Sequence, residues 1–396
     1  MAPLLPFKEA IEHIKGALER VTQIETTPLN QALGRVLAED VISSIQVPPA
    51  DNSAMDGYAL CASDLEHTDS LLVSQRIAAG CAPTPLTANS CARIFTGAEI
   101  PAGANAVVMQ ENTELVGDSV RFLSPVRIND NIRPAGQDIA LGATVLEKGK
   151  RLSAIDIGVL ASIGITEIQA FTPLKVGILT TGDELQVAGQ PLAAGQIYNS
   201  NGPLIESLVA SAGHHVSLRL HAMDSVDATE SALKQLSECS DVIISSGGVS
   251  VGEEDHVKAT IEQNGQLHLW KIAIKPGKPL VFANVFGTPF IGLPGNPSST
   301  LVTFHLFARL ALATAAGEQL ELPDPIPVIC AFERKSNKSR DEFLRVHVNH
   351  GVATPHSQQS SGALLAASQT DGYLHVPAQQ DVTLNSYFDF YPFNAF

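Results

Sequence analysis

Between residues 174 and 316 short apolar runs alternate with amphipathic segments, and this alternation constrains the fold more than any other feature of the chain. "KVGIL" is followed by "NGPLIESLVASAG", "VSLRLHA" by "SVDATESALKQLSE", and "DVIISS" by "DHVKATIEQNG". A lysine-bearing extended segment, the run "PFIGL" and the helical "PSSTLVTFHLFARLALATAA" complete the series. Strands separated by helices connect by crossovers, so the pattern predicts a mostly parallel sheet covered by helices on both faces. In such a sheet ligands bind in crevices beyond the carboxyl ends of the strands. Four loops leave at that end: "TTGDEL" (180–185), "AMDS" (222–225), "SSGGVSVGEED" (245–255) and "LPGNPSS" (293–299). Glycines, small hydroxyls and carboxylates converge there on one edge.

The flanking sequence has a different texture. Residues 7–21 place Phe7, Ile11, Ile14 and Leu18 at helical spacing and predict an amphipathic helix. From 43 to 142, short pieces such as "RIF", "AVVM" and "SVRFL" alternate with Gly, Pro and Asn clusters, which predicts a β-rich module. "SAIDIGVLASIG" follows as a helix capped by Ser153. After the linker-like "LPDPIP" (322–327), the pieces "PVICAF", "DEFLRVHV", "GYLHVPA" and "DVTL" predict a small all-β module.

A net charge of −16 and 5% aromatic content exclude a nucleic-acid binder, which needs basic surface and stacking platforms. No apolar run approaches the ~18 residues of a membrane span. Five scattered cysteines without a C-x-x-C pair, and a start lacking a signal-peptide pattern, lead us to expect a cytoplasmic protein.

Three features carry chemistry. In "LPGNPSST", Asn296 stands as N-cap and Pro297 at the first helical position, a start whose N–H groups can hold an anion or simply cap the helix. In "KIAIKPGKP", Lys271, Ala273 and Lys275 share one face if the segment is extended, and a Pro-Gly turn adds Lys278. The same lysines also suit a solvated edge strand. Gly247 and Gly248 allow positive φ in a turn or a close approach of backbone to ligand. Lysines beside several carboxylates fit a polyanion plus a divalent cation, since Mg²⁺ uses only one or two carboxylates and completes its shell with water and phosphate oxygens. Residues 248–252 also fit the G-x-S-x-G elbow of a serine hydrolase, but Ser250 stands several residues past the strand rather than at the strand-to-helix turn.

Taken together, "DNSAMDGYA" (51–59), "TGAEIPAGANAVVMQE", "NIRPAGQDI" (131–139), "TTGDEL", "SSGGVSVGEEDH", "KIAIKPGKP" and "GLPGNPSS" resemble, in order and over essentially the whole chain, the MoeA family of molybdopterin molybdenumtransferases. The E domain of gephyrin also belongs to that family. The resemblance implies an α/β plus β fold: a multi-domain elongated chain with a doubly wound, mostly parallel sheet domain, a β-rich inserted module and a small C-terminal β-barrel-like domain. It divides the chain into an N-terminal helix packing on the α/β domain (1–23), a connecting domain (24–42 and 143–173), the β-rich module (43–142), the α/β substrate domain (174–322) and the C-terminal domain (323–396).

The implied reaction inserts molybdenum from molybdate into adenylylated molybdopterin, with Mg²⁺ assisting cleavage of the phosphoanhydride and release of AMP. The implied assembly is a homodimer with the site shared between subunits, in transient contact with the upstream molybdopterin adenylyltransferase and with neither nucleic acid nor membrane. Matched to the family's motifs, Asp56, Glu184, Asp255 and Lys275 are expected to be catalytic, the three carboxylates also holding the metal. Thr96, Asp138, Asp224, Gly247, Gly248, Ser250, Lys271, Lys278, Pro294, Pro297 and Ser298 are expected to bind substrate. Pro134 and Ala135 stand where some members carry arginines. A gephyrin-like dimeric scaffold that binds partner peptides, and a serine hydrolase using Ser250, are the alternative readings.

Overall fold

The computed structural model describes residues 4–249 and 256–396. Helix α1 (Phe7–Ala17) buries Phe7, Ala10, Ile11 and Ile14, the predicted face, and stops four residues before the sequence pattern ends. Residues on both sides of the β-rich module then pair in one small sheet, Ile24–Pro28 and Val36–Leu37 flanking Glu167–Phe171. The module has a six-stranded sheet that includes Gly57–Leu60, Ser90–Ile94 and Ala106–Met109. Helix α2 (Ala154–Ser162) starts at Ser153 with a reciprocal capping box, Ser153 Oγ accepting from the Asp156 N–H while Asp156 accepts from the Ser153 N–H.

The α/β domain runs β1 (Lys175–Thr181), α3 (Asn201–Ser211), β2 (His215–Ala222), α4 (Val226–Ser237), β3 (Val242–Ser246), α5 (His256–Asn264), β4 (Gly265–Trp270), β5 (Val281–Val285) and β6 (Thr288–Leu293). The sheet order is β2-β1-β3-β6-β5-β4. The first four strands are parallel, as expected, whereas β6, β5 and β4 are antiparallel neighbours. Successive side chains serve opposite cores. Ile178, Val242 and Ile244 pack with α1 and α3, whereas Leu179 and Ile243 pack with α4 and α5.

Helix α6 (Pro297–Thr303) continues through a π-helical turn at Phe304–Ala308 into α7 (Arg309–Ala316). Contrary to the reading of apolar runs alone, Pro297–Ala316 is long and apolar enough to cross a membrane, with a mean hydropathy of 1.3. However, 89% of its most apolar stretch is buried within the protein, which makes it a core helix.

The C-terminal strands β7 (Ile326–Cys330), β8 (Asp341–Asn349), β9 (Val352–Pro355), β10 (Gly372–Val376) and β11 (Tyr387–Pro392) run in the order β8-β9-β7-β11-β10, and β10 returns to β8 to close a five-stranded barrel. "DVTL" forms only a bridge from Val382 to Arg334, and the last strand lies at Tyr387–Pro392 instead. The largest core crosses the boundaries between these parts. Phe7 of α1 meets Phe307 of the π-helical turn at 5.7 Å and Phe343 of the barrel at 5.2 Å between ring centres.

Candidate active site

The strand order turns at β1 and β3, since β2 lies on one side of β1 and the later strands lie on the other. A sheet opens a crevice at such a switch point. Here it is a cleft of about 550 Å³ lined by Thr181, Gly182, Glu184, Asp224, Gly247, Gly248, Pro294 and Pro297 among others. All four predicted loops contribute. The first two are tied by reciprocal bonds, the Asp224 N–H donating to Asp183 at 2.8 Å and the Asp183 N–H to Asp224 at 3.2 Å.

Gly247 and Gly248 have φ of 95° and 65°. A Cβ on Gly247 would stand 2.7 Å from Thr181 Oγ1, and one on Gly248 would stand 2.5 Å from Val257 Cγ2. The glycines therefore let β3 turn hard against β1 and leave bare backbone on the cleft floor. Gly247→Ala is expected to narrow the floor, with about 1–2 kcal/mol of left-handed strain. A drop in molybdopterin affinity larger than the accompanying fall in the unfolding midpoint explains would show this in a binding titration paired with thermal melts.

Asn199, Asn201 and Tyr198 also line the cleft and were not singled out in the sequence. Asn201 donates through Nδ2 to Ser246 Oγ at 2.8 Å and to the Gly295 carbonyl at 2.7 Å, so it joins the β3 and β6 loops. Its Oδ1 is buried without a hydrogen-bond partner among the described residues. The paired asparagines of "YNSNG" at the start of α3 were the available signal.

Other predicted residues lie elsewhere. In the β-rich module, Asp56 Oδ1 accepts from both the N–H and the hydroxyl of Thr96 at 2.8 Å. The backbone bond, then the hydroxyl bond, hold the carboxyl below the usual aspartate range. Asn52 pairs with Arg133 across two short strands, and the Ala135 N–H donates to Asp51, which gathers all three motif stretches of the module. Asp138 is exposed on the last of them. None of these residues lines the α/β cleft. Among the described residues no group of three His, Cys, Asp or Glu side chains can enclose a metal. Of the expected trio, Glu184 lines the cleft and Asp56 does not, while Asp255, like Ser250, lies outside the described residues. Glu184 and Asp224 together meet the one or two carboxylates that Mg²⁺ needs beside phosphate oxygens.

The lysine segment is not a one-faced strand. Lys271 has φ of 75°, its N–H donates to the Leu280 carbonyl, and the Ile272 N–H donates to the Lys278 carbonyl, which bends the segment into a closed loop. Lys271 lies over the Trp270 ring at 4.2 Å. Only Ile274–Lys275 is strand, and it pairs with β8 of the barrel. Lys275 Nζ bonds at 2.8 Å to Glu342, which Arg334 also holds at 2.9 Å. Burial raises the Glu342 carboxyl, but these two cations outweigh it and the net shift is downward. None of the three lysines lines the cleft, although Pro279 does.

Asn296 occupies the N-cap position without a side-chain cap bond, and Pro297 takes the first helical position as predicted. Ser298 is fully buried and takes no part in the cleft, where Ser299 stands instead. Its N–H is spent on the Ser361 carbonyl and its hydroxyl accepts from Arg345. This helix start is therefore a junction with the barrel rather than a free anion site.

Residues 5–164 match the MoeA N-terminal region (domain I and II), 177–314 a probable molybdopterin binding domain, and 327–393 the MoeA C-terminal region (domain IV). The chain is 42% identical to a molybdopterin molybdenumtransferase of Haemophilus influenzae over 349 residues, covering 86% of this chain and 85% of that one. It belongs to the molybdopterin molybdenumtransferase family. Molybdopterin molybdenumtransferase 2 of Mycobacterium tuberculosis is 34% identical across 92% of this chain and 94% of its own length. The crystal structure of the molybdopterin biosynthesis MoeA protein from Pyrococcus horikoshii OT3 superposes with a TM-score of 0.84 at 29% identity, over 98% of this chain and 100% of that one. As a molybdopterin molybdenumtransferase the protein is a transferase of molybdenum cofactor biosynthesis that works on molybdopterin, which displaces the hydrolase reading of Ser250.

Proposed function

We propose that the enzyme takes molybdate and adenylylated molybdopterin, places molybdenum on the dithiolene and releases AMP, in a site completed across a homodimer. The observation that carries this reading is the separation of two polar centres. The α/β cleft offers Glu184, Asp224 and bare glycine backbone, whereas the Asp56–Thr96 pair sits in the β-rich module and does not line that cleft. A two-fold partner supplies the second centre to each cleft symmetrically.

In this reading the cleft backbone at Gly247 and Gly248 receives the flat pterin or a phosphate without side-chain obstruction. Asn201 Oδ1, without a partner among the described residues, accepts a substrate N–H or O–H. Glu184 and Asp224, with Asp56 from the module, would hold Mg²⁺, and the metal would supply charge neutralisation at the phosphoanhydride. Lys275, paired with Glu342 and outside the cleft lining, keeps two further N–H donors for anionic groups of a substrate that reaches beyond the cleft. The five cysteines are all free thiols, which suits a reducing compartment, and we place the enzyme in the cytoplasm. The adenylylated substrate implies transient contact with the adenylyltransferase that makes it.

AMP release from adenylylated molybdopterin tests the chemistry. It is expected to stop in excess EDTA and return with Mg²⁺, and undiminished turnover under chelation would rule the metal out. Mixing Asp56→Ala and Lys275→Ala chains under subunit exchange tests the sharing. Half the dimers become mixed and each mixed dimer regains one intact site, so about a quarter of sites recover. No recovery, with exchange confirmed by mass spectrometry, would assign both residues to a single chain's site.

A further inference from the structure

A second cavity of about 90 Å³ lies at the far end of α3 from the cleft, where the connecting region, the α/β domain and the C-terminal residues meet. Roughly 15 Å of helix separates its Ser211 wall from Asn201 of the active-site cleft. Arg151, Arg309, His214, His305, Glu318 and Phe396 supply its chemistry. The room is several times what one water needs.

The donors of this cavity outnumber its acceptors. Glu318 is consumed by Arg151, whose Nε and Nη2 reach its two oxygens at 2.9 and 2.6 Å. Arg151 Nη1 donates to the Gly34 carbonyl at 2.7 Å. Arg309 is left with one long bond, Nη1 to the Ala395 carbonyl at 3.4 Å, and no carboxylate within ion-pair distance among the described residues. A guanidinium offers five N–H donors, so most of this one's capacity is unused in a half-buried position.

His214 adds another donor by elimination. Its Nδ1 lies 3.3 Å from the Leu174 N–H, which can only donate, so Nδ1 is the acceptor. Burial, with Arg151 and His215 nearby, pushes the ring's pKa down to about 3, so it is neutral at physiological pH and carries its proton on Nε2. No protein acceptor meets that Nε2–H among the described residues. Phe396 stacks on His305 at 4.6 Å with the rings nearly parallel, and the pair forms an apolar wall.

The geometry points to a binding site for a small tetrahedral oxyanion in this cavity, held by the Arg309 guanidinium and the His214 Nε2–H and separate from the molybdopterin cleft. An apolar or cationic ligand would leave these donors unmet, whereas an oxyanion satisfies both. The bound anion would tie α3 and α7 to the connecting region and to the chain's last residues.

Isothermal titration of the full-length protein with sulfate, phosphate and molybdate, against chloride at matched ionic strength, tests the site. One sulfate per chain is expected in the wild type, with affinity at least about tenfold lower in Arg309→Met. Arg309→Lys, which keeps the charge without the fork, serves if the methionine variant does not fold, and severalfold weakening is expected there. Sulfate displaced by molybdate extends the site to the enzyme's proposed substrate anion. Sulfate retained against molybdate restricts it to phosphate and sulfate, and either result supports the site. Equal binding in wild type and variants, or no binding of any of the three anions to the wild type, overturns it.

Discussion

Arg345→Ala is expected to destabilise the protein by about 3 kcal/mol or more, because it strips several buried acceptors of their donor at once. Arg345 lies on β8 and is 1% exposed. Its guanidinium donates to the carbonyls of Gln358, Ser360 and Ala363 at 3.0–3.1 Å and to the hydroxyl of Ser298 at the start of α6. No carboxylate pairs with it among the described residues. Three carbonyl oxygens and one hydroxyl hold the charge, and burial lowers the guanidinium's pKa. The Gln359 side chain clamps the same residue's backbone in both directions, so the 356–364 loop and the helix start hang on one side chain. Urea unfolding of the variant would measure the loss, and limited proteolysis would show new cuts between 356 and 364. A change below 1 kcal/mol would mean that water replaces the guanidinium without penalty.

A second large effect concerns acid. Burial, with Arg309 nearby, lowers the pKa of His305 to about 3, and burial with Arg151 and His215 does the same for His214. The unfolded chain takes up these protons near 6.5 and the folded chain only near 3, so stability is full above 6.5 and falls through the interval between. At pH 5 each ring contributes a loss of about 2 kcal/mol, or about 4 kcal/mol for the pair. Glu342, held below its usual range, adds its own loss only at lower pH. Denaturant midpoints at pH 7, 6 and 5 are expected to fall steeply in the wild type and to flatten in a His214→Phe, His305→Phe protein. Equal slopes in the two proteins would show that the rings protonate within the fold.

The parallel half of the α/β sheet was legible because each apolar run there is short and followed by a helical segment. The four loops could be read onto one edge for the same reason. The antiparallel half was not legible. β5 and β6 are joined through Phe286 and Gly287, both at positive φ, and a phenylalanine in that conformation gives no turn signal. The lysine segment misled because period-two spacing is common to a strand and to a loop closed on itself. What decides between them is the bond from the Lys271 N–H to Leu280, a tertiary choice. Ser298 and Ser299 show the same limit on the scale of one residue. Helical geometry turns one toward Arg345 and the other into the cleft, and the two are chemically identical in sequence.

The shared aromatic core carries a practical consequence for anyone dissecting the protein. The family matches stop at residue 314 and resume at 327, which invites a cut between them. A fragment ending at that point would strip Phe343, Tyr373 and Tyr391 from Phe7, Phe307 and their neighbours, and would leave Lys275 without Glu342. The freed barrel would lose the same contacts and would expose its aromatic side to solvent. Both pieces would present the contiguous apolar surface that drives aggregation. The parts are separable on paper but not in the test tube, and functional residues in this enzyme are best studied by point substitution in the intact chain.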